Sequence, residues 1–296
     1  MNTYDITFLG HMCFDEITPY QGETKVSPGS AVLCGAMVAA RVGKKVAVVT
    51  KMAEKDNEIL KPMQELGIDT FVIPAAETTF SVVIHPTANV DERRLILQKS
   101  AGLFQQNEIP ALETKYLHLA GISDQEFNMN LILGLKAKGY NLSADMQSFV
   151  RQVDPVTREI AFKDVHQKIE IVKQLSKVKL DIVEAKVLTG TDNLEEAAKM
   201  IEAWGCPEVV ITQAEGVLAR VEGKTYYEKF SNRSVVGRTG RGDTTFAAYL
   251  AWRMDHGVAE SLKFAAALVS IKMETPGPFQ GTLQDVIERV ILDHSA

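Results

Sequence analysis

The sequence predicts an α/β fold in which helices cover both faces of a mostly parallel sheet, an αβα sandwich. Two observations carry this. Short apolar runs ending near Gly, Thr or Asp alternate with stretches of helical length along most of the chain, and strands spaced by helices pair in parallel. The stretch Val235-Val236-Gly237-Arg238-Thr239-Gly240-Arg241-Gly242-Asp243 then turns an extended segment into a run of good helix formers, Thr244 to Ala251. With 296 residues, 46% of them hydrophobic and 24% charged, the chain can bury a large core as two average domains or one large α/β domain, and 1–296 is read as one.

Each element has a local reason. Ile6 to Gly10 is an apolar strand stopped by glycine, and Asp15 lies just past its end. Ser27 to Ala31 is a small-residue turn, Val32 to Val42 an Ala-rich helix ending near Gly43, and Lys45 to Thr50 a second strand. Asn57 to Leu66 reads as a helix with Gly67 at its C-terminus, followed by a strand from Ile68 to Ile73. Thr78 to Ile84 and Arg93 to Leu97 are extended, with Asn89 and Asp91 offering the turn, so a hairpin is expected to leave the main sheet. Alternation resumes with a strand at Tyr116 to Gly121, a helix from Gln125 to Lys138, and a strand ending at Asp145. Residues 152–168 are mostly polar and read as a loop with a helical part. A strand follows at Val178 to Val183, a helix from Asn193 to Trp204 and a strand from Glu208 to Thr212. A hairpin turns at Glu222-Gly223-Lys224, and helices are expected at Ala259 to Lys272 and 282–293.

The chemistry concentrates at strand ends, where open α/β sheets bind ligands. Gly240 and Gly242 permit unusual backbone angles and close approach of an anion. The first N–H groups of the helix that follows point at the same place. Asp243 stands at the edge of that cradle, where a carboxylate can take a proton from a hydroxyl. In isolation the same residues would serve as a helix cap. Asp15, Asp145 and Arg151 lie beyond strand ends and are candidates to shape a cleft. Asp181 and Glu184, three apart, could hold water around Mg²⁺, which prefers oxygen ligands. Arg238 and Arg241 are placed to contact phosphate oxygens.

Taken together, the Gly240–Asp243 turn resembles the C-terminal signature of the ribokinase-like (PfkB) carbohydrate kinase family, with Arg241 in place of the usual Ala and Gly237 in place of the usual Asp. The Gly10-His11-x-Cys13-x-Asp15 and Asp145-x-Gln147-x-x-x-Arg151 strings resemble the branch that includes myo-inositol kinases. The resemblance implies a ribokinase-like fold with a small β lid, formed by a strand at about 16–26 and the hairpin at 78–98. It implies phosphorylation of a hydroxyl of a small sugar, polyol or nucleoside, with ATP as donor and Mg²⁺ as cofactor. Asp243 would be the base, and Gly240, Arg241 and Gly242 the anion hole. Asp15, Gly29, Ser30, Cys34, Asp145 and Arg151 would meet the acceptor, Ser30 standing for a glycine and Cys34 for an Asn. Thr212, Gly216, Arg238, Thr239 and Gly277 would line the nucleotide, although the Thr212–Gly216 turn is one residue short. Glu184, with Asp181 in place of an Asn, would act on the metal water. The loop near Gly277 in some members borders a monovalent cation, and the exposed lid edge offers a homodimer surface. The Arg-Gly loop also raises an altered phosphate donor.

Other functions fit less well. A net charge of −6 with no basic face argues against nucleic acid. Cys13, Cys34 and Cys206 form neither a disulfide framework nor a metal pair, which points to a reducing cytoplasm. No signal peptide or membrane span is read. Arg241-Gly242-Asp243 is also an integrin tripeptide, but here its Asp enters a helix. The remaining alternative is a non-catalytic sensor of sugar or nucleotide on the same fold.

Overall fold

A computed structural model describes residues 3–88 and 92–295, so Asn89 and Asp91 of the expected turn lie outside the described residues. The strands are β1 (Thr3–Leu9), β2 (Cys13–Thr18), β3 (Lys25–Gly29), β4 (Val46–Met52), β5 (Asp69–Pro74), β6 (Thr79–Ile84), β7 (Arg94–Lys99) and β8 (Glu113–Leu119). They continue as β9 (Leu142–Asp145), β10 (Arg151–Val153), β11 (Ile160–Phe162), β12 (Lys177–Asp181), β13 (Glu208–Thr212), β14 (Gly216–Val221) and β15 (Lys224–Lys229). Nine of them form one sheet in the order β15-β14-β13-β12-β9-β8-β1-β4-β5. From β13 to β5 every pairing is parallel, and β14 and β15 add an antiparallel edge.

Strand alternation builds two cores. On β1, Phe8 packs with Val48, Phe246 and Phe264 beneath the helices Ala31–Arg41, Arg241–Trp252 and Val258–Met273. Its neighbour Leu9 points the other way and joins Val49, Leu119, Ala144 and Ile201. Strands buried on both faces read as continuous apolar runs, which is why β4 shows Val-Ala-Val-Val rather than a polar alternation. The predicted sandwich is therefore observed. Among the described residues no helix is long and apolar enough to cross a membrane.

A second sheet, β3-β2-β6-β7, is separate from the first and contains the segments expected to form a lid. It departs from the expectation in its wiring. The segment near 16–26 is two strands, and β2 runs parallel to β6 while β6 and β7 form the hairpin. Residues 152–168 contain a short hairpin, β10-β11, in place of the expected loop. It buttresses the second sheet: Ile96 bridges Glu159, and Arg158 Nε donates to the Leu97 carbonyl at 2.9 Å. Expected helix 57–66 is a 3₁₀ stretch, Glu54–Leu60, followed by one α turn from Lys61. Pro62 fits only the first turn of an α-helix, so the α register starts there. The helix expected from Gln125 begins instead at Met129, where the Asn128 side chain caps it by accepting from Leu131 N at 2.9 Å. Val235 and Val236 are exposed in an irregular segment and extend no strand. At the last hairpin, Glu222 (φ 50°) and Gly223 (φ 76°) both adopt left-handed angles, as a two-residue turn between twisted strands requires.

Candidate active site

The Gly240–Asp243 turn sits beyond the carboxyl ends of β12 and β13. Gly240 (φ 77°) is the N-cap of the helix Arg241–Trp252, in the left-handed region that glycine adopts without strain. Two contacts explain the neighbouring glycines. A Cβ at Gly237 would lie 1.9 Å from the Thr275 carbonyl oxygen, and one at Gly242 would lie 2.9 Å from the Lys179 ammonium. The expected Asp at position 237 has no room here. The Arg241 N–H donates to the Arg238 carbonyl at 3.0 Å, closing the turn. That N–H is therefore taken up within the turn and is not free for the anion hole expected of Arg241.

Asp243 lies in that first turn, and Gln147 Nε2 donates to its Oδ1 at 3.4 Å. The charge of Asp243 acts on Asp15, Cys34, Asp145, Arg151, Lys179 and Lys272, so residues from five separate stretches converge on it. Nothing in the sequence marks Lys179, because a lysine in a strand carries no local signal. It is buried, donates to Asp145 Oδ2 at 2.8 Å and lies 3.8 Å from Glu184 Oε2. Burial opposes its charge, but Asp145, Glu184 and Asp243 outweigh that and raise its pKa. Asp145 uses its other oxygen to accept from Gln147 N at 3.0 Å. It is buried with both oxygens engaged, one by Lys179 and one by Gln147 N, in place of the exposed acceptor contact expected of it.

Asp181 and Glu184 form a capping box on the helix Ile182–Thr189: Glu184 N donates to Asp181 Oδ1, and Asp181 N to Glu184 Oε2, each at 2.8 Å. Arg151 Nη2 approaches Glu184 Oε1 at 3.4 Å. Arg151 therefore serves the side of the cleft that Asp181 and Glu184 line, while its charge also reaches Asp15. Burial, and then the Asp181 charge, push the Glu184 carboxyl up to about 7. As a direct metal ligand Glu184 fits poorly, being fully buried and surrounded by cations and the cap. Among the described residues no group of three His, Cys, Asp or Glu could hold a metal. A Mg²⁺ ion here would depend on water and substrate oxygens, with the half-buried Asp181 nearest to hand.

The raised Glu184 pKa makes a stability prediction. Folding takes up a proton where the folded value exceeds the usual 4.5, so stability falls as pH rises from about 4.5 through about 7. Glu184→Gln keeps the capping geometry and removes the titration. The variant should gain stability relative to the parent above pH ~7, with little difference below pH ~4.5. Chemical denaturation of both proteins across that range checks it; parallel curves would contradict it.

Arg93, also unmarked in the sequence, enters from the residues leading into β7. Burial, and then the charges of Arg151 and Arg238, lower its pKa to about 10, while Asp181 and Glu184 act in the opposite sense. The charges of Arg151 and Arg238 thus act on Arg93, with Asp181 and Glu184 as its counter-charges.

On the opposite side, Asp15 of β2 accepts from Cys13 Sγ at 3.4 Å, and burial raises its carboxyl. Gly29 lies beside it because a Cβ there would fall 1.9 Å from Asp15 Oδ2. Ser30 adopts φ 149°, a glycine-favouring angle, and caps the helix Ala31–Arg41 by accepting from Leu33 N at 2.9 Å. Its hydroxyl donates to Met12 Sδ at 3.4 Å, so it is a cap and not the acceptor contact expected of it. Cys34 lies against the Gly240 turn: a Cβ on Gly240 would lie 2.7 Å from its Sγ. Burial, and then Asp243, push its thiol up to about 12, so it stays protonated.

The expected nucleotide residues are less united. Thr212 is buried at the end of β13, donating to the Leu180 carbonyl at 3.4 Å, and its hydroxyl oxygen lies 3.6 Å from the Gly242 Cβ position. Gly216 belongs to the β14-β15 hairpin, where a Cβ would meet the Glu228 carbonyl at 2.4 Å and the Tyr227 hydroxyl at 2.6 Å. Its glycine is explained by that crossing, not by a phosphate. Thr239 is exposed, and its carbonyl accepts from Lys272. Gly277 (φ 87°) is an exposed turn with open space around it.

The model of the pfkB family carbohydrate kinases matches residues 1–283. The chain belongs to that family. This pfkB-family enzyme is a carbohydrate or polyol kinase with the ribokinase-like fold, as its sequence resemblance implied. A cytidine kinase of Thermococcus kodakarensis is 25% identical over 262 residues, covering 83% of this chain and 87% of that one. The sulfate complex of a pyrophosphate-dependent kinase of the ribokinase family is 31% identical, with a TM-score of 0.89 over 95% of this chain and 99% of that one. A pyrophosphate-dependent kinase of the same family, complexed with a pyrophosphate analog and myo-inositol, is 30% identical, with a TM-score of 0.87 over 96% and 99% of the two chains.

Proposed function

We propose that this kinase transfers a phosphoryl group from inorganic pyrophosphate to a hydroxyl of a cyclitol or similar polyol. The observation that carries the donor is the convergence of Arg93, Arg151 and Arg238 beside the anion loop. Like charges so close repel one another, and a small polyanion with no base or ribose offsets that repulsion. The short Thr212–Gly216 turn and the filled space at Gly216 give little to a nucleotide, which favours pyrophosphate over the ATP expected from the family. The two pyrophosphate-dependent relatives support the same choice.

In this mechanism Asp15 accepts hydrogen bonds from acceptor hydroxyls, with Gly29 allowing the approach. Asp243, oriented by Gln147, takes the proton of the attacking hydroxyl. Transfer passes through a loose transition state, so positioning and charge stabilisation dominate the rate. The N–H groups at Gly240 and Gly242, with the Lys179 ammonium below, face the charge that develops. Mg²⁺, when bound, would neutralise donor oxygens, Asp181 reaching it through water.

The test is product formation with pyrophosphate or Mg-ATP against a panel of cyclitols, sugars and nucleosides. Turnover with pyrophosphate and a cyclitol supports the proposal. Turnover with ATP alone would overturn the donor assignment. No turnover, with ligands still raising the melting temperature, would favour the sensor. Asp15→Asn should raise the acceptor KM about tenfold to a hundredfold with little change in donor KM, because a buried hydrogen bond to a charged group is worth ~1.5–3 kcal/mol. An unchanged acceptor KM would remove Asp15 from the acceptor site.

A further inference from the structure

Lys272 is a buried cation that the phosphoryl-transfer mechanism does not use. It lies in the last turn of the helix Val258–Met273 and is 1% exposed. Its ammonium donates to two backbone carbonyls, those of Gly237 and Thr239, which flank Arg238 in the segment leading into the anion loop. The loop and the helix end are interlocked: Gly237 N donates to the Met273 carbonyl at 2.8 Å, and the missing Cβ of Gly237 makes room for the Thr275 carbonyl. A Cβ on Gly240 would lie 3.9 Å from the ammonium, which places it against the cap of the helix that carries Asp243.

Burying an ammonium is costly unless its donors are satisfied. Here two of its three donors are met by carbonyl oxygens, the ligands that a bare monovalent cation would also take. The Thr239 carbonyl and the Gly240 N–H belong to one peptide unit. A cation at the carbonyl end polarises that unit and strengthens the N–H at the other end as a donor. Burial lowers the Lys272 pKa, and the neighbouring Asp243 charge opposes that.

We propose that Lys272 is a tethered monovalent cation: a positioning residue whose ammonium fixes the Gly237 and Thr239 carbonyls, aims the Gly240 N–H at the transferred phosphoryl group, and makes activity independent of added potassium. The inference rests on the anion-hole reading of the Gly240–Gly242 turn.

The test uses the full chain in buffers whose only added cation is tetramethylammonium, with potassium or ammonium chloride then titrated in. Wild type should be indifferent to the added ion. Lys272→Ala should lose about a hundredfold in kcat, as for loss of one oxyanion donor, and recover at least tenfold with potassium or ammonium. Lys272→Met, whose apolar chain fills the space, should lose activity without recovery. Sulfate-induced thermal stabilisation, which needs no turnover, should fall and recover in the same pattern. If the kinase reading fails and no acceptor is phosphorylated, sulfate stabilisation still decides the role of Lys272. A folded Lys272→Ala with unchanged kcat and sulfate response would overturn the proposal. So would a folded variant that no monovalent ion rescues, or a wild type that itself requires potassium. Should Lys272→Ala fail to fold, the salt response of wild type and the sulfate response of Lys272→Met decide between the two outcomes.

Discussion

Asp243→Asn is expected to lower kcat by about 10³-fold, within the usual range for loss of a general base. The reasoning is geometric. An amide is the same size as a carboxylate and still accepts from Gln147 Nε2, so the helix start at Gly240 is undisturbed. Removing the charge relieves two buried carboxyls, Asp15 and Asp145, whose pKa values the Asp243 charge helps to raise. The same substitution withdraws a counter-charge from the buried Arg151, Lys179 and Lys272, so thermal stability should change little. Donor affinity should also hold or tighten, since one negative charge no longer faces the pyrophosphate. The combination is the signature: a large kcat loss, an intact fold and an undiminished donor affinity. Steady-state kinetics beside a thermal melt measure all three. A kcat loss of less than about tenfold would mean that the hydroxyl proton leaves by another route, and Asp243 would lose its role as base.

That prediction rests on the part of the site most legible in the sequence. The Gly240–Asp243 turn is a local structure: its left-handed cap and helix start are set by residues adjacent in the chain. The strand ends that place Asp15 and Asp145 are also readable, because apolar runs ending at a turn signal strands. What cannot be read is what packs against what. Lys179, Lys272 and Arg93 are ordinary residues in a strand, a helix and a loop, and only the sheet order brings them to one cleft. Gly216 fits a nucleotide turn in the sequence, yet the tertiary reason for it is the Tyr227 hydroxyl and the Glu228 carbonyl in the next strand. Ser30 is the reverse case: a serine holds a glycine-like angle because its hydroxyl caps a helix. The β10-β11 hairpin escapes sequence reading because its strands are three residues each, and its support comes from the distant Leu97.

The second large effect is expected at the donor. Arg93 and Arg238 approach the cleft from different elements, and each lies in the electrostatic field of the other. Burial and the neighbouring guanidiniums disfavour the Arg93 charge, Asp181 and Glu184 favour it, and a bound pyrophosphate would add charge-assisted hydrogen bonds, each worth ~1.5–3 kcal/mol. Arg93→Leu should raise the pyrophosphate KM by about tenfold to a hundredfold, and Arg93→Leu with Arg238→Leu by about 10²- to 10⁴-fold, while the acceptor KM moves little. Repulsion predicts a further, less obvious outcome. The anion-free melting temperature of Arg93→Leu should match or exceed that of wild type, whereas the gain in melting temperature on adding pyrophosphate should shrink. A merely structural arginine would give the opposite pattern: lower stability without anion and an unchanged pyrophosphate shift. Mg-ATP offers the control. If these arginines read a small polyanion, pyrophosphate should stabilise wild type more than Mg-ATP at equal concentration, and the double substitution should remove most of that difference. Equal stabilisation by the two ligands in wild type would return the donor assignment to ATP and leave the arginines as general phosphate contacts.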